Sequence, residues 1–418
     1  MRSDPHRVII ENQLELPQGN FSLDRYPETD DPNLRAWDAA DEYLLGHLAE
    51  NPIKGPTLIL NDRFGAIALV LAATVRDGKG GEGPITSVSD SYLSIEAGKR
   101  NLKRNEFPAS AVKLMSGPSM NRIKNASINT LIIKTPRTLA LLEDQLHTVR
   151  PLLAPKALII AGGMTKNIHD STLGLFEQIL GPTKTSLAVK KSRLIHTRLD
   201  AKLKPGKSPF PDKWEDMGIK TVNHANVFSG RSLDVGTRFM LDTLGLSGHL
   251  ADDDDMTGGR VMPGGQTFNQ TTFRNRDAID LGCGNGILGT ALALANPDLL
   301  VRFVDESFQA VESAKATFKA NLGAKRKAVF QVGNMLEGIE DDSIDLVMCN
   351  PPFHVQGARG DDAAMQMFNA AARVLKPGGS LYVVGNRHLG YHKKLRTHFE
   401  NAAVVGSNSK FVVVRAEV

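Results

Sequence analysis

Cysteine is almost missing from this sequence. Only Cys283 and Cys349 occur in 418 residues, too few for a disulfide framework or a thiolate zinc set, and suited to a reducing cytosol. No metal site is expected. No run of the ~18 apolar residues that a membrane-spanning helix needs is present. The start, "MRSDPHRVIIENQLELPQGN", lacks the basic, apolar and small-residue regions of a secretory leader, so a cytoplasmic location is expected. Aromatic residues make up 6%, thin for a platform that stacks single-stranded bases. Charge of one sign is not dominant either, and a net +4 points only weakly to a polyanionic partner. What is there, 41% hydrophobic and 23% charged residues, describes an ordinary soluble globular protein long enough for two domains.

Strand-like and helix-like segments alternate, which predicts an α/β fold with a mainly parallel sheet. In the second half the expected strands are 277–282, 299–305, 327–333, 344–350, 378–385 and 410–418. Between them, 287–295, 307–322 and 363–375 carry apolar residues at three- and four-residue spacing, the stripe a helix needs to lie on a sheet. A loop and one more helix are expected over 228–244.

The first half repeats the pattern. Residues 55–72 read as strand, turn and helix, 84–105 parallels 300–321 with Asp90 in the place of Asp305, and 128–137 parallels 344–353. The run 139–163 matches 366–386. This predicts a duplicated domain, 1–206 and 207–418, joined in the Pro/Lys-rich stretch 202–214. The copies differ where chemistry would sit. The second has "DLGCGNGILG" (280–289), whereas the first puts Asn61 and Arg63 where Gly282 and Gly284 stand. Glycines allow a tight turn and close approach of a ligand to the backbone; Asn and Arg side chains fill that space. The N-terminal copy is therefore expected to have lost catalysis and to serve as scaffold or binding surface.

The ligand of the glycine turn can be argued from charge. Gly284, Gly286 and Gly289 satisfy G-x-G-x-x-G, with Asp305 about 20 residues on, so the dinucleotide fingerprint is nominally met. Asp280 distinguishes the case. A carboxylate there repels a pyrophosphate and suits a cationic amino group, which favours S-adenosylmethionine over NAD. Asp305 is placed to accept from both ribose hydroxyls, and Asn334 to bond the adenine edge. Helix capping or a surface charge is the plain structural alternative for each.

"CNPPFH" (349–354) follows a buried strand. Two prolines end a strand, and the residue before them is held extended. Beside a methyl donor the same residues acquire a mechanism. The exocyclic amine of a base is a poor nucleophile because its lone pair is delocalised into the ring. The Asn350 side-chain oxygen and the Pro351 carbonyl can each take one N–H, turning the lone pair outward and stabilising charge that develops on nitrogen. Phe353 can stack on an extruded base. His354 reads more simply as a structural histidine, and both cysteines as small buried residues.

These motifs, with "VFSGRSLDVGTRFML", "VGNRHLGYHKKL", "KFVVVRA" and "LDRYPETDDPNLRAWDAADEYLL", resemble the bacterial tandem-domain guanine-N2 methyltransferases of ribosomal RNA, class I enzymes dependent on S-adenosylmethionine. The resemblance is closer to the 23S than to the 16S enzymes. It implies two Rossmann-like class I methyltransferase domains, the N-terminal one degenerate and aiding RNA binding, and transfer of a methyl group to a guanosine N2 in 23S rRNA. It implies a catalytic loop of Asn350, Pro351, Pro352 and Phe353. The implied cofactor set is Asp234, Thr237, Asp280, Gly282, Cys283, Gly284, Asp305, Glu306, Asn334 and Asn350. The stretch 247–275, with four consecutive aspartates, is longer than the family's usual link into the first catalytic strand.

The RNA expectation also rests on charge. "KRNLKR" (99–104) and Lys184, Lys190, Lys191, Arg193, Arg198, Lys202, Lys204 and Lys207 lie in or just after the first copy and can neutralise phosphates, although a solvated face is the simpler reading of any single one. Rival functions are methylation of 16S rRNA, methylation of a protein glutamine amide, and a non-catalytic RNA-binding protein.

Overall fold

The computed structural model describes residues 11–29, 31, 33–79, 81–123, 127–228, 230, 232–247, 276–352 and 358–418. The chain divides into two compact units, Met1–Pro209 and Phe210–Val418.

The first unit opens with a hairpin, β1 (Gln13–Leu16) and β2 (Gly19–Ser22), followed by α1 (Ala39–Glu50). Asp38 caps α1: its carboxylate accepts from Ala40 N and Asp41 N while Asp41 reaches back to the Asp38 N–H, a capping box that fixes where the helix begins. Then come β3 (Thr57–Leu60), α2 (Ala66–Arg76), β4 (Ile85–Ser89), α3 (Tyr92–Arg104), β5 (Lys113–Ser116), β6 (Ile128–Lys134), α4 (Leu139–Val149), β7 (Leu153–Met164), α5 (Asp170–Ile179), β8 (Thr183–Thr185) and β9 (Ser192–Thr197). Every residue of β3 is buried, as expected of a central parallel strand covered by helices on both faces.

The second unit begins with another hairpin, β10 (Asp212–Asp216) and β11 (Ile219–Asn223), where the sequence predicts only a joint as far as residue 214. It continues with α6 (Val235–Thr243), β12 (Asp277–Leu281), α7 (Ile287–Ala295), β13 (Leu300–Asp305), α8 (Phe308–Leu322), β14 (Val329–Val332), β15 (Ile344–Cys349), α9 (Ala358–Val374), β16 (Leu375–Asn386), α10 (Tyr391–Leu395), β17 (Asn401–Ser407) and β18 (Phe411–Glu417).

The two large sheets have one topology. The first runs β5-β4-β3-β6-β7-β9-β8 and the second β14-β13-β12-β15-β16-β18-β17, each with parallel pairing up to its fifth strand and antiparallel pairing beyond. The duplication read from the sequence is therefore present in the fold. In each sheet the strand order reverses beside the first strand, β3 or β12, which opens a crevice at the carboxyl ends of the strands. Phe303 and Phe330 stack at 5.0 Å with Phe318 edge-on, cementing α8 onto β13 and β14.

Candidate active site

The carboxyl end of β12 turns through Gly282, Gly284 and Gly286, all left-handed with φ of 69°, 52° and 76°. Two of them serve different ends. A Cβ on Gly286 would stand 2.7 Å from Ala314 Cα, so this glycine lets α7 start hard against α8. A Cβ on Gly284 would meet nothing within 4 Å, so that side of the turn is open.

Asp305, at the end of β13, faces the turn. Its Oδ2 accepts from Gly284 N at 3.0 Å and its Oδ1 from Ser307 N at 2.9 Å. Asp280 lies beneath the turn, 2% exposed, with Oδ2 accepting from Gly289 N at 2.8 Å. Burial pushes the Asp280 carboxyl up to about 7 against the Gly289 hydrogen bond, and the neighbouring Asp305 adds to the rise. Burial raises Asp305 as well. Two carboxyls whose charge is costly in the apo protein lie under one open turn, an arrangement that a cation relieves.

Asn350 follows β15 and is tied to the start of α6. Its Nδ2 donates to Asp234 Oδ2 at 3.1 Å and to Thr237 Oγ1 at 2.9 Å. Asp234 caps α6, with Oδ2 accepting from Thr237 N at 2.9 Å. A carboxylate only accepts, so the Asn350 amide must present its NH₂ to Asp234, and this fixes which way the amide is turned. Its Oδ1 then faces away, shielded from solvent and with no hydrogen-bond partner among the described residues. Pro351 is buried and Pro352 exposed. Asp234 and Thr237, expected on the cofactor, are thus found on the Asn350 amide. Phe353 and His354 lie outside the described residues, as does 248–275 of the long link.

The register of the two sheets aligns the copies residue by residue. Leu60 pairs with Ile133 as Leu281 pairs with Cys349, so Lys134 occupies the Asn350 position. Lys134 is buried and its Nζ lies 2.7 Å from both Asp38 and Asp41 carboxylates, at the start of α1. These acids raise the Lys134 ammonium against its burial. The first copy thus holds an amine of its own between the α1 cap and β6, where the second presents an acceptor. Over its glycine-poor turn, Asn61 exchanges hydrogen bonds with Gln145 at 2.9 and 2.8 Å. The register also corrects one parallel: Leu60 pairs with Val88 as Leu281 pairs with Val304, so Ser89 matches Asp305, and Asp90 matches Glu306. Ser89 Oγ accepts from Ser91 N as Asp305 Oδ1 accepts from Ser307 N, keeping the turn without the charge. Buried Asp62, pushed up to about 6, accepts from Ala68 N and so takes over the helix contact that Asp280 makes. Sequence reasoning missed the Lys134 plug. The signal was "DAAD" (38–41) against "DVGT" (234–237), two helix starts that differ at the residue facing the strand end.

The other expected residues are scattered in role. Asn334 donates to Glu337 Oε1 at 2.6 Å, and Glu306 is exposed. Cys283 and Cys349 are buried, and burial pushes both thiols well up, so neither is a thiolate. Much of the "KRNLKR" charge is engaged within the chain: Lys99 pairs with Glu96, Arg104 with Asp24, and Arg100 lies over the Tyr26 ring. Lys190 pairs with Glu42, whereas Lys184, Lys191, Arg193, Arg198, Lys202, Lys204 and Lys207 are exposed.

Known proteins are similar to this chain in sequence and in fold. Residues 11–201 match the family described as the RLMG N-terminal domain, and 263–415 the methyltransferase small domain. The fold resembles the T. thermophilus 16S rRNA N2 methyltransferase solved with AdoMet and guanosine, with a TM-score of 0.66 and 19% identity over 97% of both chains. A Streptomyces coelicolor protein named ribosomal RNA large subunit methyltransferase G is 44% identical over 96% of this chain and 99% of its own. Its namesake in Aeromonas salmonicida is 43% identical over 97% and 99%. With such identity sustained through both copies, the chain belongs to the ribosomal RNA large subunit methyltransferase G family.

Proposed function

We propose that this protein transfers a methyl group from S-adenosylmethionine to the exocyclic N2 amine of a guanosine in 23S rRNA. The observation that carries the reading is the Asn350 amide, with Nδ2 clamped by Asp234 and Thr237 and Oδ1 left as an unpartnered acceptor. An unpaired buried acceptor costs about 1–3 kcal/mol; others exist in the fold, but this one is held by the clamp at the end of the strand beside the glycine turn, where an incoming donor would offset the cost.

The residues around the glycine turn fit the cofactor. The open side of Gly284 leaves room against backbone, Asp305 offers carboxylate lone pairs for ribose hydroxyls, and Asp280 supplies negative charge from beneath. Asn334 is the candidate for the adenine edge. S-adenosylmethionine, when bound, supplies an electrophilic methyl on a positively charged sulfur. The protein's part is to prepare the amine. Asn350 Oδ1 accepts one N–H and the Pro351 carbonyl the other, which turns the nitrogen lone pair out of ring conjugation. The same two dipoles stabilise the positive charge that develops on nitrogen. Phe353 is the candidate to stack on the base, which leaves its helix or loop to reach the pocket.

Residues 1–206 serve in this reading as a degenerate, RNA-binding copy and 207–418 as the catalytic domain. The exposed basic residues from Lys184 to Lys207 are the phosphate-facing candidates. No described helix is long and apolar enough to cross a membrane. A ribosomal RNA substrate supports a cytoplasmic location. Incubation with labelled S-adenosylmethionine and naked 23S rRNA, 16S rRNA or release factor tests the assignment. Label is expected in 23S rRNA; label only in 16S rRNA or only in protein transfers the assignment to a rival.

A further inference from the structure

A second asparagine shares the peculiarity of Asn350. Asn386 ends β16, and its Oδ1 is shielded from solvent with no hydrogen-bond partner among the described residues. An orphaned oxygen alone decides nothing, since Thr290 and Asn296 carry others in and after α7. Place and face distinguish Asn386.

β16 lies beside β15, with Met348 opposite Tyr382 and Cys349 opposite Val383. Met348, Tyr382 and Val384 belong to one apolar cluster, together with Met240 and Leu241 of α6. Side chains alternate along a strand, so Asn350, two residues after Met348, and Asn386, two after Val384, continue that same face. Strand spacing and rise put their Cα atoms about 8 Å apart. Asn386 is also the cross-strand partner of Phe411, and Phe411 Cε1 is 3.4 Å from where a Cβ on Gly236 would stand, between Asp234 and Thr237. The second orphan acceptor therefore sits on the α6 side of the sheet, one strand from the first.

The fold does not explain it. Asn386 precedes the 3₁₀ turn Arg387–Leu389 without making the side-chain cap that would account for an asparagine. In the first copy Lys134 pairs with Gly162 as Asn350 would with Val384, so the Asn386 position is Met164. Met164 precedes an equivalent 3₁₀ turn, Thr165–Asn167, at the end of an equivalent strand. The turn forms with methionine. Only the copy with the Asn350 acceptor has the second asparagine.

We propose that Asn386 is a specificity-determining residue that reads the Watson–Crick edge of the target guanine beside its amine, Oδ1 accepting from N1–H and Nδ2 donating to O6. This rests on the guanine-N2 reading of the site. Asn350 handles the amine, and Asn386 handles the neighbouring groups that separate guanine from other bases carrying a 2-amine. An amide is suited to this because it offers an acceptor and a donor side by side, matching the adjacent donor and acceptor of the base.

The test uses the full chain methylating unmodified 23S rRNA, inhibited by guanosine, by inosine, which lacks the 2-amine, or by 2-aminopurine riboside, which keeps the amine but lacks N1–H and O6. For Asn386→Met, the residue the first copy tolerates, inhibition by guanosine and inosine should weaken about tenfold to a hundredfold, the worth of a bidentate base contact. Inhibition by 2-aminopurine riboside, the thermal midpoint and cofactor affinity should hold. Asn386→Asp, of the same shape but without the donor to O6, should also lower the preference for guanosine over 2-aminopurine riboside and guards against a misfolded methionine variant. Asn350→Ala should instead erase the difference between guanosine and inosine. Active wild-type enzyme whose guanosine to 2-aminopurine riboside ratio is unmoved by both Asn386 variants overturns the assignment of Asn386 alone. Wild-type enzyme that transfers no label to 23S rRNA overturns it together with the reading beneath it.

Discussion

The clamp on Asn350 makes a prediction that separates positioning from cofactor binding. Asn350→Ala removes the acceptor itself, and loss of one preorganised dipole at a developing charge costs about 100–1,000-fold in kcat. Thr237→Val removes the neutral 2.9 Å bond to Nδ2. Such a bond is worth about 0.5–1.5 kcal/mol, which is about 2- to 13-fold in rate if all of it goes into holding the amide. Asp234→Ala removes a charged acceptor 3.1 Å from Nδ2. A charge-assisted bond is worth about 1.5–3 kcal/mol, so the loss is about 10- to 150-fold, with about 1 kcal/mol of stability lost besides because the cap of α6 goes too. The decisive measurement is a double-mutant cycle on single-turnover methyl transfer at saturating cofactor. With Asn350 already alanine there is no amide to orient, so Asp234→Ala should add almost nothing, giving a coupling of about 1.5–3 kcal/mol. Additive losses in the cycle would refute the clamp. They would place Asp234 on the cofactor instead.

Three further outcomes follow from the two buried carboxyl sites and the two glycine turns. Since Asp280 sits at about 7 in the fold against 3.8 as an ordinary side chain, its contribution favours the apo fold at low pH and is lost as pH rises from about 4 to about 7. Cationic cofactor favours the ionised form, so affinity should rise by up to about tenfold per pH unit below about 7 and then level, with about one proton released on binding at pH 6; calorimetry in buffers of different ionisation enthalpy reads this, and a flat profile sinks it. Lys134→Ala strands the Asp38 and Asp41 carboxylates at the start of α1 and should cost about 3–5 kcal/mol in urea unfolding, with a change under about 1 kcal/mol denying the plug its role. Gly286→Ala forces an L side chain into the left-handed region, about 1–2 kcal/mol before any clash, and sets its Cβ 2.7 Å from Ala314 Cα. Thermal unfolding and cofactor titration should both register it, whereas the matching Gly65→Ala, 2.7 Å from Gly98 Cα, should lower stability and leave cofactor affinity intact.

The parts of the fold legible in the sequence were those where one physical requirement dominates. Parallel strands buried on both faces must be apolar runs, and β3, β12 and β15 stand where such runs lie. Elements half in water were missed. β17 is an edge strand with alternate exposure, and β10, "DKWED", carries three acids and one base that read as linker. In the site, residue types were legible and partnerships were not. Asn350 was identifiable because Asn-Pro-Pro breaks a strand without structural need, since the first copy ends β6 with one proline. That its amide hangs from the cap of α6, more than a hundred residues earlier, depends on how α6 packs against the sheet. Register decided the rest: a one-residue slip in the alignment set Asp90 against Asp305, and only the pairing of Val88 and Val304 put Ser89 there.

Seen together, the two copies differ at the strand end by more than one asparagine. A buried strand end beside an acidic helix cap is costly unless its polar groups are paired. In the second copy the demand is met by an amide whose remaining oxygen has no partner among the described residues. In the first, Lys134 meets it permanently, with Asp41 in the place of Thr237 to balance the charge, and Asn61 and Gln145 close the space over the turn. Each exchange satisfies locally what the second copy leaves open, at Asn350 Oδ1, the glycine turn and Asp305. A copy closed at three places cannot be reopened by one. Lys134→Asn should therefore yield no second transfer activity, because Asn61 still fills the turn and Ser89 still offers no carboxylate where Asp305 stands. Retention of all label transfer in the Asn350→Ala, Lys134→Asn double variant would overturn that account.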